Sequence, residues 1–343
     1  MTTQKIVHLV DDTTAGGVMR MLDHLLGLPG LADAADQQVM RVNRTALSFG
    51  RIDADVIVSH LTLSWRGLPA LVTLRAMHPS ARILHIEHSY TRAFTALNVS
   101  AKRRFFAMLR VGYALFDQVI AVSHTQANWL QERRLVNTAA LRVIQPEVDL
   151  TDFRALPAPT GTARVIGAVG RLDRQKGFDV LIKAFRDTKQ MDARLLIFGD
   201  GEEKAALQAL AGDDTRIEFR GHCTDPIAAF AEVDIVAIPS RWEAFGIVAR
   251  EALAAQRTVL MADTDGLRDM SHGTVVNGLQ IKSWITAMED ALGKQFSAPT
   301  PAEAVYDGMD YATKWKDVFF NDGTPAPSGA VASFVANHQR AAV

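Results

Sequence analysis

Two Rossmann-like, doubly wound α/β domains facing each other across a cleft are the fold this sequence predicts. Three observations carry the prediction. Short apolar runs rich in β-branched residues alternate with helically spaced stretches along the chain, the pattern of parallel strands buried beneath crossover helices. The alternation breaks at Leu156-Pro-Ala-Pro-Thr-Gly161, which is rich in Pro and Gly and has no apolar period. A length of 343 residues also suits two domains better than one. Residues 1–158 therefore form the first domain and 159–305 the second, while 321–343, rich in Ala, Pro and Gly, is a flexible tail that adds no core.

In the first domain, Ile6–Val10 is a strand, Asp11–Gly17 a glycine-containing turn and Val18–Leu26 a helix. Such a turn lets backbone approach a phosphate or sugar closely, or simply serves a tight bend at Gly16 and Gly17. It is not G-x-G-x-x-G, so the dinucleotide fingerprint is not met. Asp55–His60 and Arg82–Tyr90 are further strands. Ligands bind at the carboxyl ends of strands in open α/β sheets. Glu87, His88 and Ser89 cluster at such an end, whereas His60 and His85 read as structural.

Ser100–Phe116 has no acidic residue, and on a helix Phe105, Leu109 and Phe116 form a core stripe. Lys102, Arg103 and Arg110 share another face, with Phe106 and Tyr113 among them. Basic residues interleaved with aromatics suit an anionic membrane surface, and a solvated basic face suits the same residues equally. Asp117–Ser123 is a strand and Thr125–Glu132 a helix.

In the second domain the strand Arg164–Val169 leads into the loop Gly170–Gly177 and the helix Phe178–Arg186. Arg171 and Lys176 in that loop can neutralise a diphosphate leaving group, or stand exposed to solvent. Arg194–Phe198 is a strand with the glycine turn Gly199-Asp-Gly201, followed by a helix at Glu202–Ala211. Arg216–His222 is a strand and Asp225–Glu232 a helix, with Asp225 as N-cap and Pro226 in the first turn. Thr258–Ala262 is a strand, Asp263–Gly266 a turn and Ile281–Leu292 a helix.

The chemistry concentrates at Pro239–Glu251. The strand Val233–Ile238 ends at Pro239, which has no N–H for the ladder, and a helix runs from Ile247 to Ala255. A helix N-terminus presents free amides and a partial positive charge, so the amides of Phe245, Gly246, Ile247 and Val248 make an anion site. Glu243 in the loop and Glu251 eight positions on can each grip sugar hydroxyls, since an ionised carboxylate accepts only. Otherwise one serves the helix dipole and the other is solvated.

Glu243-Ala-Phe-Gly-Ile-Val-Ala-Arg-Glu251 resembles the E-x7-E signature of retaining, nucleotide-sugar-dependent glycosyltransferases of the GT-B fold, family four type (glycosyl transferases group 1). Gly170-Arg-Leu-Asp-Arg-Gln-Lys-Gly-Phe-Asp179 resembles that family's donor-phosphate loop, and Arg194–Gly201 its segment beside the nucleotide base. Arg142–Asp149 resembles its V-I-P-N-G-V-D segment, with Gln145-Pro146-Glu147 replacing Pro-Asn-Gly. Gly266-Leu-Arg-Asp269 agrees only partly with the family's Gly-Gly, Pro and Glu.

The resemblance implies a retaining transferase that moves a sugar from a nucleotide-diphosphate sugar to a glycan or lipid-linked acceptor, without metal or other cofactor, in bacterial cell-envelope polysaccharide, lipopolysaccharide or glycolipid synthesis. By the same resemblance Arg171 and Lys176 stabilise the departing diphosphate beside Gly16 and Gly17, Glu251 holds the ribose, Glu243 and His88 meet the sugar, and Gly199 lies beside the base. The helix 306–320 would cross back to the first domain. Rivals are a GT-B epimerase or phosphorylase, or a non-catalytic protein binding a nucleotide or lipid surface; the last would not require both glutamates and both cations.

Composition bounds the setting. Hydrophobic and charged fractions of 48% and 22% are those of a soluble globular protein. The lone Cys223 excludes a disulfide framework and a cysteine zinc site. No apolar run approaches the roughly 18 residues of a spanning helix, and the N-terminus lacks a signal-peptide pattern. The expected location is cytoplasmic, peripheral on the inner membrane face if the basic helix binds lipid. Residues 1–160 hold 17 Lys+Arg against 13 Asp+Glu, and the remainder 20 against 25. That bias fits an anionic partner in the first half or an ordinary solvated surface, and no nucleic-acid partner is expected.

Overall fold

The computed structural model describes residues 4–13, 16–296 and 308–320. Its first half runs β1 (Gln4–Val10), α1 (Gly17–Leu26), β2 (Ala35–Arg41), β3 (Val56–Ser59), α2 (Leu68–Met77), β4 (Arg82–Glu87), α3 (Arg92–Asn98), α4 (Lys102–Tyr113), β5 (Gln118–Ala121), α5 (His124–Glu132) and β6 (Leu141–Val143). All six strands pair in parallel, in the order β2-β1-β3-β4-β5-β6. The second half runs α6 (Thr151–Ala155), β7 (Val165–Val169), α7 (Phe178–Arg186), β8 (Arg194–Phe198), α8 (Lys204–Ala211), β9 (Ile217–Gly221), α9 (Pro226–Ala231), β10 (Ile235–Ile238), α10 (Ile247–Ala254), β11 (Thr258–Ala262), β12 (Thr274–Val276) and α11 (Ile281–Ala291). Its sheet is also parallel, in the order β12-β11-β10-β7-β8-β9.

Both sheets are covered on two faces, so β3, β5 and β10 are buried along their whole length and read as apolar runs, with only Ser59 and Gln118 polar at their ends. Each strand order reverses at one point, beside β1 in the first sheet and beside β7 in the second. Ligand crevices open outside the carboxyl ends of strands at such points.

One further helix, α12 (Gly308–Phe320), packs on the first sheet. Its Tyr311, Trp315 and Phe319 join Ile6, Val10, Leu22 and Leu25 in one buried cluster. Arg82 of β4 donates to the Phe319 carbonyl at 3.1 Å. The expected helix start at 306, and the tail at 321–343, lie outside the described residues. The helix expected from Glu202 begins instead at Lys204. Asp225 caps α9 as expected, its Oδ1 accepting from the Ala228 amide at 3.1 Å.

Two aspartates join the halves. The turn expected at Asp263–Gly266 continues as a short 3-10 helix, Asp265–Asp269. Buried Asp265 accepts from the Thr91 hydroxyl at 2.6 Å and the Ala93 amide at 3.0 Å, at the start of α3. Asp269 accepts from the His124 amide at 2.5 Å, the Thr125 amide at 3.1 Å and the Thr125 hydroxyl at 2.6 Å, at the start of α5. Gln145 donates to the same carboxylate at 3.1 Å. Each acid meets a helix N-terminus, where free amides and the dipole favour a negative charge.

Candidate active site

The carboxyl ends of β7 and β10 hold the first set of groups. Lys176, in the loop after β7, places Nζ 2.6 Å from Glu243 Oε2, in the loop after β10, and Ser240 donates to the same oxygen at 3.3 Å. Lys176 and Glu243 are both mostly buried, with side chains 17% and 14% exposed. Arg171 is different: its side chain is 76% exposed and lies 3.5 Å from Asp173. Gly199 lets the ends of β7 and β8 meet, because a Cβ there would fall 1.9 Å from the Gly170 carbonyl oxygen.

Gly246 caps α10 with φ +106°, in the left-handed region, and a Cβ would lie 2.4 Å from Leu267 Cδ2. Glycine thus fixes where the helix begins and aims its first amides. Ile247 and Val248 are half-buried, while the Phe245 ring is buried in the core under Arg250, so only the backbone of Phe245 can serve a ligand. The turn at Gly16 and Gly17 sits against this same helix start; a Cβ on Gly17 would meet Ile247 Cδ1 at 3.3 Å.

Glu251, 1% exposed, lies on α10 with Oε1 2.5 Å from a guanidinium nitrogen of Arg20 on α1. That oxygen makes no directed hydrogen bond, so the contact is ionic. Burial pushes the Glu251 carboxyl up, and Arg20 opposes the shift. The sequence expectation did not include Arg20. It lies one helical turn beyond the glycines, and no local motif marks it.

Across the cleft, His88 follows β4 and keeps part of its ring exposed. His88 Nε2 lies 3.1 Å from His60 Nδ1, and His60 Nε2 lies 3.1 Å from His8 Nδ1. His60 thus supports His88 as well as filling core. Glu87, expected to cluster with His88, points into the core instead. It accepts from the Ser89 and Tyr90 amides at 2.7 and 2.9 Å and from the Tyr113 hydroxyl at 2.6 Å. Burial works against its charge, yet His85, Tyr113 and the Tyr90 amide together hold its carboxyl below the ordinary range. Glu87 therefore shapes the turn that carries His88.

The basic face expected on α4 needs correction. Lys102 and Arg103 are exposed, but Tyr113 is 2% exposed and bound to Glu87. Phe106 is half-buried, with the Arg133 guanidinium 5.6 Å over its ring. Arg110 is exposed, and its guanidinium donates to the carbonyls of Arg133 and Arg134 at 2.9 and 3.1 Å. The aromatics are thus committed to packing. Among the described residues no helix is long and apolar enough to cross a membrane, and no group of three or more His, Cys, Asp or Glu is placed to hold a metal ion.

Comparison with known proteins agrees with this architecture. Residues 29–152 match the model of Glycosyltransferase Family 4, and residues 163–295 that of Glycosyl transferases group 1. A D-inositol 3-phosphate glycosyltransferase of Nocardia farcinica is 31% identical over 204 residues, covering 52% of this chain and 45% of the relative. The corresponding protein of Mycobacterium marinum is 32% identical over 200 residues, covering 51% and 42%. The match thus spans less than half the length of these curated relatives. Sucrose-phosphate synthase from Thermosynechococcus elongatus superposes with a TM-score of 0.69 at 19% identity, covering 92% of this chain and 98% of that one. Anabaena HepE in complex with UDP and glucose gives 0.66 at 18%, covering 90% and 92%. At such identities the solved structures speak for the fold. With two parallel six-stranded sheets and a family match on each half, the chain belongs to the GT-B-fold glycosyltransferases of the family four, group 1 type.

Proposed function

We propose that this chain is a retaining glycosyltransferase that moves a sugar from a nucleotide-diphosphate sugar to a glycan or lipid-linked acceptor, without a metal ion, in bacterial cell-envelope glycan synthesis. The observation that carries the reading is the pairing of Lys176 with Glu243 at 2.6 Å, beside the α10 N-terminus set by Gly246. A cation and an acid from two loops stand there beside the free amides of α10, which carries the second acid, Glu251.

In this reading the diphosphate lies on the α10 amides between Lys176 and Arg171, where charge develops as the bond to the sugar breaks. Lys176 turns from Glu243 to the phosphate, which frees Glu243 for sugar hydroxyls. Glu251 exchanges Arg20 for the ribose hydroxyls. His88 meets the sugar from the opposite domain, so only the two halves together complete the site. The acceptor attacks from the face the diphosphate leaves, and a diphosphate oxygen is the base nearest its proton. The HepE complex with UDP and glucose supports UDP-glucose as a first donor to try. Exposed Lys102 and Arg103 suit anionic headgroups near a lipid-linked acceptor.

A donor screen tests this. UDP-, GDP- and ADP-sugars are added to purified protein, following nucleotide release and thermal unfolding. One nucleotide at a hundredfold excess over its Kd should stabilise by about 2.7 kcal/mol. Lys176→Ala and Glu251→Ala should abolish that gain. Absence of stabilisation by every nucleotide would overturn the reading.

A further inference from the structure

Four side chains form a line from the edge of the first sheet to the cleft. Gln37 on β2 presents its amide oxygen to His8 Nε2 at 3.3 Å. His8 on β1 meets His60 after β3, and His60 meets His88 after β4, each ring nitrogen 3.1 Å from the next. The His60 and His88 rings are parallel to within 9° and the His8 and His60 rings are tilted by 41°, with ring centroids 5.3 Å apart in each pair. His8 is 0% exposed and His60 7% exposed, and the edge of Phe319 from α12 closes over His8.

A neutral imidazole has one N–H and one bare nitrogen. Burial pushes His8 down to about 4 and holds His60 well below its ordinary range. His88 is lowered to about 4, again by burial. All three rings are therefore neutral near pH 7, and one end fixes the rest. With the Gln37 amide oxygen, which only accepts, turned toward it, His8 carries its proton on Nε2 and its Nδ1 is bare. His60 must then donate from Nε2, leaving its Nδ1 bare, and His88 must donate from Nε2 in turn. The last bare nitrogen is His88 Nδ1, which has no hydrogen-bond partner among the described residues.

We infer that Gln37, His8 and His60 are positioning residues that lock His88 in one neutral tautomer, with Nδ1 held toward the cleft as an acceptor for a donor-sugar hydroxyl. Its assignment to the sugar rests on the transferase reading above, while the tautomer lock does not. A single tautomer matters because an acceptor-only nitrogen favours a hydroxyl at that position and leaves its own lone pair unsatisfied if the hydroxyl is absent. From sequence His60 reads as plain core because its two partners, His8 on β1 and His88 after β4, stand far from it along the chain.

The experiment uses the whole chain labelled with 15N at histidine. In the unmodified protein, His88 should show a protonated Nε2 and a bare Nδ1. Gln37→Leu, on a half-exposed edge-strand residue whose loss leaves the core intact, removes the fixed end and should give signals of both tautomers. His8→Phe, which cuts the line one link further in, should do the same. With UDP-glucose, or whichever nucleotide sugar is turned over, Gln37→Leu should lower kcat/KM about 5- to 20-fold while affinity for the free nucleotide stays within about twofold, a split expected where only the sugar feels the change. A proton on His88 Nδ1 in the unmodified protein, or His88 signals unchanged by Gln37→Leu and His8→Phe, would overturn the inference. If no nucleotide sugar is turned over, the transferase reading falls and the 15N spectra still decide the tautomer lock.

Discussion

Asp269 offers the sharpest test of how the two halves are held together. It belongs to the second half, yet every donor its carboxylate accepts from belongs to the first: the His124 and Thr125 amides, the Thr125 hydroxyl and the Gln145 amide. Hydrogen bonds to a charged group contribute about 1.5–3 kcal/mol each, but bonds sharing one carboxylate are not additive, and Asp269 is only half-buried. Asp269→Ala should therefore weaken docking by about 2–4 kcal/mol. Asp269→Asn, which keeps an acceptor without the charge, should lose roughly half of that. For domains of about 150–250 residues, 1 kcal/mol moves Tm by about 2–4 °C, so the Ala variant should melt about 4–15 °C lower. Calorimetry should show its transition broadening or splitting as the halves separate, and small-angle scattering should show a larger radius at room temperature. A single transition at the unmodified Tm with an unchanged radius would refute the reasoning and leave the docking to Asp265, the Arg20–Glu251 pair and apolar contact.

Other consequences can be measured on the same protein. Because His8 is held at about 4 while an unfolded histidine titrates near 6.5, the unfolded chain binds a proton that the native protein refuses. Stability should hold above about pH 6.5 and fall as pH drops toward 4, by up to about 3 kcal/mol from His8; urea melts across this range should lose that part of the slope in His8→Phe. Arg20→Ala strands the buried Glu251 carboxylate and should cost about 1–2 kcal/mol, discounted because Arg20 is 36% exposed. The thermal shift on adding nucleotide should then exceed that of the unmodified protein, since ribose hydroxyls would supply the missing partner; an equal shift would count against Glu251 as the ribose ligand. Gly246→Ala adds a Cβ 2.4 Å from Leu267 at a positive φ, and should lose about 2–4 kcal/mol in thermal or urea unfolding.

The parts of this fold legible in the sequence are those where burial on both faces writes an apolar run. β10, Pro239, Gly246 and α10 can be read in a line because each uses a residue type that admits little else. β2 escapes the same reading: Ala-Asp-Gln-Gln-Val-Met-Arg is an edge strand whose side chains are mostly open to solvent. β12 is short and partly exposed for the same reason. In α2 apolar residues lie on both faces, Val72 being 50% exposed, so no helical period stands out. Among the site groups, Lys176, Glu243 and Glu251 stand in motifs. Arg20, Asp265 and Asp269 gain their roles from partners 124 or more positions away in sequence, and nothing local announces them. A helical projection puts Tyr113 on the basic face because it does not contain the Glu87 carboxylate that draws the hydroxyl inward.

The placement of α12 has a consequence for how the protein is made and how it can be recombined. Trp315 and Phe319, 1% and 0% exposed, cover a sheet whose last strand ends at Val143. At about 5–20 residues per second, a ribosome needs roughly 9–35 s between completing that sheet and delivering its cover. Throughout that interval Ile6, Val10, Leu22 and Leu25 lack their final packing. The first half is therefore completed by a segment synthesised after the second. A hybrid that exchanges halves between relatives at the 156–161 junction would need to carry α12 with the first half, or leave that sheet bare.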